Sequence, residues 1–376
     1  MLTKATLNET LAILGDAFQG DHLARGRVKA LVQGGSVLNE SISSSDLART
    51  FVYATNQSLE KQYAAAPKTW TQFAGREVFE DFTPRDRKEF LFEEDVDLAE
   101  NGGHETAPGS LPVVPEGTEY PTFRFTTSAK RMSTLKHGAR IGFTWEDVIN
   151  DRWSFIQSLP GQLMKYALNT EETEAVQVLA TKAGPNPETF NAANGNAVDN
   201  KKLSLANLKA AKKGVRNRKV NGQLVSVNSF ALVVPTSMRD DAEAILKIAE
   251  VERVEGAGTA TEVRTKEATS NGDVTLVVND YLGKVDQSAN SATTWYLVPL
   301  NGNDGTRDSI TVNFLRNNEK PLLTMQASGQ LYVGGGEVPG LEGSLLNDTS
   351  QYRVRHVVSG GYWNAHAMYA STGTTA

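Results

Sequence analysis

The chain has 376 residues, 39% hydrophobic and 22% charged, a composition that suits one large or two modest globular domains. It contains no cysteine, which excludes disulfide stapling, thiolate catalysis and Cys-ligated zinc. The formal charge of −6 speaks against nucleic-acid binding over the whole surface, though not against one basic face. No window approaches the roughly 18 continuous apolar residues of a membrane span, and MLTKATLNETLAILGDAF lacks the architecture of a secretory signal. Synthesis in the cytoplasm is expected.

Residues 3–18 have the periodicity of an amphipathic helix, with Leu7, Leu11, Leu14 and Phe18 on one face. After a Gly/Ser-rich connector, a second helix is expected from Asp46 to about Ala65, stopped by Pro67. Two helices on a loose connector read as an arm. Phe90, Phe92, Asp97 and Leu98 then suggest one strand, and Tyr120, Phe123 and Phe125 another. Between them fall Gly102, Gly103, Pro108, Gly109, Pro112, Pro115 and Gly117. A hairpin with so long a Pro/Gly tip is expected to lie against another molecule.

Residues 131–145 read as a strand. The segment from Asp151 to Lys182 is the clearest helix, with Phe155, Leu159, Leu163, Tyr166, Ala167, Val178 and Leu179 on one face. Lys165, Glu171, Glu172 and Glu174 fall on the other. Pro160 fits as the first residue of its main part, giving a rod of roughly 33 Å. Ser204 is expected to cap a helix carrying Leu205, Leu208, Ala211 and Val215. Strand 230–235 leads to a helix opened by Thr236 or Ser237, with Asp240 and Asp241 in its first turn. Residues 253–273 read as a polar loop. Strands are expected at 274–278, 294–300, 310–315 and 321–325, and around 352–358 and 362–369.

No catalytic template fits. GGSVL (34–38) and EGSLL (342–346) lack the second glycine of a nucleophile elbow, and no P-loop or H-E-x-x-H is present. Pro339 occupies the third glycine position of a dinucleotide loop beginning at Gly334. His356 and His366 read as packed or surface histidines, and the loop 301–308 lacks calcium-loop spacing. The carboxylates Glu93, Glu94, Asp95, Asp97 and Glu100 have no apolar surroundings to raise a pKa, so they read as a solvated or partner-facing hairpin. Lys209, Lys212, Lys213, Arg216, Arg218 and Lys219 form a basic cluster, either a solvated face or a contact for acidic protein or phosphate; no aromatic interleaves for base stacking. The residues therefore point to no catalysis, no cofactor and no metal.

Residues 110–179 resemble the major head subunits of Mu-like tailed phages. They show a hairpin arm with Val114, Pro115, Glu116, Gly117, Glu119 and Tyr120, and a strand ending in Arg140, Ile141, Thr144, Ile149, Asn150 and Asp151. A long helix opened by Leu159 and Pro160 comes next. The segments FALVVPTSMRDDAEAIL and RVRHVVSGGYWNAHAMYAST are also similar to that group. The resemblance implies an α+β capsid fold of the Hong Kong 97 type. Its parts are an N-terminal arm (1–70), an extended loop (85–130), a peripheral domain (70–84, 131–202 and 349–376) and an axial domain (203–348).

It also implies the major capsid protein of a tailed double-stranded DNA phage, made in the host cytoplasm and resident in the virion. Copies would form hexamers and pentamers of an icosahedral shell, with a portal, cement proteins and packaged DNA on the inner face, and no membrane. Too little chain precedes the resemblance for the large scaffolding segment of some relatives, so a separate scaffolding protein is expected. Residues 89–129 contain no lysine, so the Lys–Asn cross-link of other relatives is not expected from this loop. Glu93, Glu94, Asp95, Asp97, Glu100, Glu116 and Glu119 are expected to meet a neighbour's basic surface, formed by Arg85 and Arg87 or by Lys209, Lys212, Lys213 and Arg216. A bacterial nanocompartment shell, a hydrolase and a tail or decoration protein are the competing readings.

Overall fold

The computed structural model describes residues 61–92, 123–144, 153–220, 223–300, 309–326 and 344–375. Excepted are short gaps at 226, 249, 256–262 and 269–271; isolated positions between these segments are also described. The helices expected over 3–18 and most of 46–65, the hairpin tip, the loop 301–308 and Gly334–Gly336 lie outside those residues. The last turn of the second expected helix is present at 61–65, ending before Pro67.

In chain order, strand β1 is Gly75–Phe79, and β2 (Arg85–Phe92) and β3 (Phe123–Met132) pair antiparallel. The single strand expected over 131–145 is two: β3 ends at Met132, and β4 runs Lys136–Thr144. Helix α1 spans Trp153–Leu179, 27 residues and about 40 Å. It therefore begins before Pro160, which lies in its interior rather than at its start. Having no N–H, Pro160 leaves the carbonyl four residues earlier without its helical donor.

Strand β5 (Asp199–Lys201) precedes helix α2 (Leu205–Arg216), where Ser204 Oγ accepts the Asn207 N–H at 3.2 Å as a cap. Strand β6 (Phe230–Val234) leads through a 3₁₀ turn at Thr236–Met238 into α3 (Arg239–Lys247), with Asp240 and Asp241 in its first turn. The stretch expected to be a polar loop holds a ribbon instead, β7 (Glu250–Glu255) with β8 (Val263–Ala268). The remaining strands longer than two residues are β9 (Val274–Val278), β10 (Trp295–Pro299), β11 (Ile310–Leu315), β12 (Leu322–Met325), β13 (Thr349–Tyr362) and β14 (Tyr369–Thr375).

The described residues fall into two compact units. One takes 61–67, 135–170 and 317–357, the other 68–92, 123–134, 171–316 and 358–375. In the first, β13 from Thr349 to Val357 pairs with β4 on one edge and β12 on the other. Tyr63, Phe143, Leu163, Met164, Leu323, Tyr352 and Val354 form its core.

The second unit is built on a mixed sheet of order β9-β6-β10-β14-β5. Strands β6 and β10 are buried along their whole length, because both faces are covered. Ala231, Val233, Tyr296 and Val298 face a core closed by Ala175, Val176, Val178 and Leu179 of α1. Phe230, Leu232, Val234, Trp295 and Leu297 face another, closed by Leu208, Ala211 and Val215 of α2. In the same unit, β1 runs parallel to β11, and the end of β13 runs antiparallel to it.

Candidate assembly surfaces

The β2–β3 pair is a two-stranded sheet that joins no other strand among the described residues. Its base is fastened firmly. Met132 is buried with Phe79 and Trp363, and Trp363 Nε1 donates to Glu77 at 2.7 Å. The Arg85 guanidinium stacks 4.9 Å over the Phe79 ring, and Arg131 Nε bonds Asp86 at 3.0 Å. Beyond a register shift between Asp86 and Lys88, Glu89 faces Thr126 and Phe90 faces Phe125.

The charges of this excursion are segregated along its length. The two strands carry six basic residues, including Arg85, Arg87 and Arg131, against Asp86 and Glu89. Residues 93–122 carry eight carboxylates and no lysine or arginine. Glu116 and Glu119 are exposed, and Gly117 between them holds φ +82°, a left-handed conformation that favours glycine. Glu93, Glu94, Asp95, Asp97, Glu100 and the Arg87 side chain lie outside the described residues.

The basic cluster on α2 divides in two. Lys212 and Arg216 both bond the Asp273 carboxylate, each at 2.8 Å. Burial pushes the Asp273 pKa up, but the two hydrogen bonds outweigh it and hold the carboxyl below its ordinary value. Arg218 donates to the carbonyls of His366 and Met368, both at 2.7 Å. Lys209, Lys213 and Lys219 are exposed.

Sequence periodicity missed a clasp on α1. Glu171 and Glu172, expected on its solvent side, are 0% and 7% exposed. Glu172 accepts the N–H groups of Thr69 (2.5 Å) and Trp70 (3.2 Å) and the amide of Asn279 (3.2 Å). Glu171 accepts Trp70 Nε1 at 3.2 Å and pairs with Lys68 at 3.0 Å. Burial raises the Glu172 pKa in spite of these donors. Glu174 likewise turns inward, accepting the Gly360 N–H at 3.2 Å. The partners of Glu171 and Glu172 lie about a hundred residues away in sequence and that of Glu174 lies 186 away, so a pattern local to the helix carried no sign of them.

A second missed feature is the turn at Ser344–Asp348. It exposes Leu345 (82%) and Leu346 (94%) side by side. Asn347 accepts from Ser344 and Thr349, and Asp348 N–H bonds the Ser344 carbonyl at 3.0 Å. The adjacent leucines in a polar stretch were its one sequence signal.

The two later histidines are packed. His356 is 3% exposed and meets Tyr63 edge-on at 6.2 Å, and His366 Nδ1 lies 2.6 Å from the Asn194 carbonyl. Among the described residues no cluster of three or more His, Asp or Glu could hold a metal, and no helix is long and apolar enough to cross a membrane.

Residues 127–371 match the profile of a family described as phage capsid protein, a match over well more than half of the chain. No curated protein matches the chain. Among solved structures it is similar to the head of Helicobacter pylori bacteriophage KHP40, at 8% identity, covering 82% of this chain and 91% of that one, with a TM-score of 0.46. It is also similar to Gordonia phage Cozz, at 11% identity, 89% and 96% coverage and a TM-score of 0.44. A third likeness is the holo-SrpI encapsulin complex from Synechococcus elongatus PCC 7942, at 8% identity, 82% and 88% coverage and a TM-score of 0.41.

Proposed function

We propose a route from subunit to shell on one premise: the chain belongs to the phage capsid protein family, and serves as the major capsid protein of a tailed double-stranded DNA phage. In this reading its α+β architecture is of the Hong Kong 97 type. Residues 1–70 are an arm and 85–130 an extended loop. Residues 70–84, 131–202 and 349–376 make the peripheral domain, and 203–348 the axial domain. Copies meet through heterologous contacts that close into rings of five and six and tile an icosahedral shell.

The observation that carries this reading is the β2–β3 ribbon, hydrogen-bonded to no other described strand. A lone two-stranded ribbon is marginal in water and needs a further surface to rest on. Its charge segregation supports a contact between acidic and basic parts of neighbouring copies. The acidic segment of one copy lies over the basic strands, with Arg85, Arg87 and Arg131, of the next. Each exposed ion pair contributes at most about 1 kcal/mol and is screened by salt. Strength therefore comes from repetition over many copies. The exposed Lys209 and Lys213 serve as a second basic face, while Lys212 and Arg216 hold Asp273. A separate scaffolding protein directs curvature, a portal occupies one vertex, cement proteins brace the exterior and the genome fills the interior of the virion. Assembly takes place in the host cytoplasm.

Negative-stain microscopy of the full chain at high concentration tests this. Closed particles or five- and six-membered rings are expected, and their yield should fall as salt rises. A protein that stays monomeric with and without its phage's other head proteins would contradict it. Particles filled with protein cargo would favour the nanocompartment reading.

A further inference from the structure

The shell reading leaves the second ribbon unexplained. Strands β7 and β8 pair over six residues each, in unbroken antiparallel register from Glu250↔Ala268 to Glu255↔Val263. Among the described residues they join no other strand. Both outer edges therefore carry backbone N–H and C=O groups that the ladder does not use, the arrangement that invites another strand. The ribbon contributes three valines and one alanine, Val251, Val254, Val263 and Ala268. That is little apolar surface for a two-stranded sheet to stand on.

The two edges differ in charge. Strand β7 carries Glu250, Glu252 and Glu255 against Arg253, and β8 carries Arg264 and Lys266 against Glu267. One edge is acidic and the other basic. Of the charged residues, only Glu252 and Lys266 face each other across the ribbon in register; Glu250, Arg253, Glu255, Arg264 and Glu267 all oppose uncharged residues. The register thus directly opposes one pair of charges, and the net charge of each strand, acidic on β7 and basic on β8, remains for a strand added at either edge.

We infer that the β7–β8 ribbon is a ring-closing element: the basic β8 edge of one copy adds to the acidic β7 edge of the next. The partner is a second copy of this chain, because the two edges of one chain are complementary to each other in charge. A rotation axis along the strands keeps β7 of successive copies parallel. Strand β8 of one copy then runs antiparallel to β7 of the next, and the ladder continues around the ring without an open edge. This rests on the shell reading and adds which strands join neighbours within a ring.

The test uses two variants of the full chain whose substitutions spare the Glu252–Lys266 pair. Glu250→Lys with Glu255→Lys makes both strands basic, and Arg264→Glu makes both acidic. Each alone should fold with the wild-type circular dichroism spectrum yet lose ring and particle yield tenfold or more. Mixed in equal amounts they should recover six-membered rings, because a basic edge then always meets an acidic one. Five-membered rings, which cannot alternate, should stay depleted. Recovery in the mixture cannot come from contacts within one chain. Full assembly by either variant alone, or failure of the mixture to recover, would overturn the inference. A variant that misfolds is replaced by Glu255→Gln or Arg264→Gln, whose effect on rings is compared with its effect on subunit melting: ring loss beyond any fall in melting temperature is expected, and rings that are unchanged, or that fall only as far as melting does, overturn the inference. If the wild type itself forms neither rings nor particles, it is the shell reading that fails.

Discussion

The segment from Lys68 to Phe79 and the ribbon after it lie next to one another in sequence, yet are finished in opposite ways. In the first, the subunit answers its own needs: Trp70 is buried with its ring N–H on Glu171, Glu172 takes two backbone N–H groups, and β1 lies along β11. In the second, β2 and β3 have each other and no third strand among the described residues. A buried polar group left without a partner costs about 1–3 kcal/mol, so what a fold completes internally is what holds it together. What it leaves unpaired is available to a neighbour. The division separates residues whose loss unfolds the subunit from residues whose loss leaves a folded subunit that cannot assemble.

The largest effect is expected at Gly360. A Cβ there would overlap the Glu174 carbonyl oxygen and stand 2.7 Å from its carbon, both backbone atoms of α1. Gly360→Ala should destabilise by more than about 4 kcal/mol, read as insoluble expression or a collapsed melting temperature. A soluble, normally melting variant would break the account of this contact. Next comes Trp70→Ala, expected to cost about 3–5 kcal/mol in thermal or urea unfolding of free subunits.

Reversing the ribbon base with Arg85→Glu and Arg131→Glu should do the converse. Melting of the free subunit should shift by about 2 kcal/mol or less, from the Arg85–Phe79 stacking and the Arg131–Asp86 pair together, while particle yield falls steeply. Equal losses of stability and assembly would blur the proposed division.

At the clasp, burial raises the Glu172 pKa. A carboxyl whose folded pKa is raised contributes stability that is full below its unfolded pKa and is lost as pH rises through the folded value. Glu172→Gln keeps an acceptor for the Thr69 or Trp70 N–H and removes the buried charge. Its unfolding free energy should therefore stay flat over the window, from the ordinary glutamate pKa up to the raised one, in which the wild type declines. Parallel curves would contradict the assignment. The smallest stability effect, within about 0.5 kcal/mol, is expected for Leu345→Ser with Leu346→Ser, since both side chains are exposed in the subunit. Light scattering on this pair sharpens the comparison by showing whether the turn belongs to assembly.

Legibility in the sequence divides along the same line. Strand 310–315, the buried strand at 230–234 and the Ser204-capped helix declare themselves through local composition and periodicity, and all three are present. The α+β class and the long helix were readable for that reason. Glu171 and Glu172 were misplaced because their burial depends on Lys68, Thr69, Trp70 and Asn279, remote in sequence. Residues 253–273 read as a loop because polar residues hide the strand period, yet backbone pairing over 250–255 and 263–268 makes a ribbon there. The helix expected from Asp151 to Lys182 is present at Trp153–Leu179, but Pro160, taken for the first residue of its main part because proline favours that position, lies within one continuous helix. The tip carboxylates were legible only as composition and charge, while the arm was read from helical periodicity that falls mostly outside the described residues.

Hydrogen exchange on dissociated and assembled subunits tests the central claim most directly. Amides of β6 and β10 should be protected in both states. Those of β2 and β3 should exchange rapidly in the free subunit and slow by at least about a hundredfold on assembly, a change of roughly 2.7 kcal/mol in local opening. A ribbon as protected in the free subunit as in the shell would show that it is complete without a neighbour, contradicting the account.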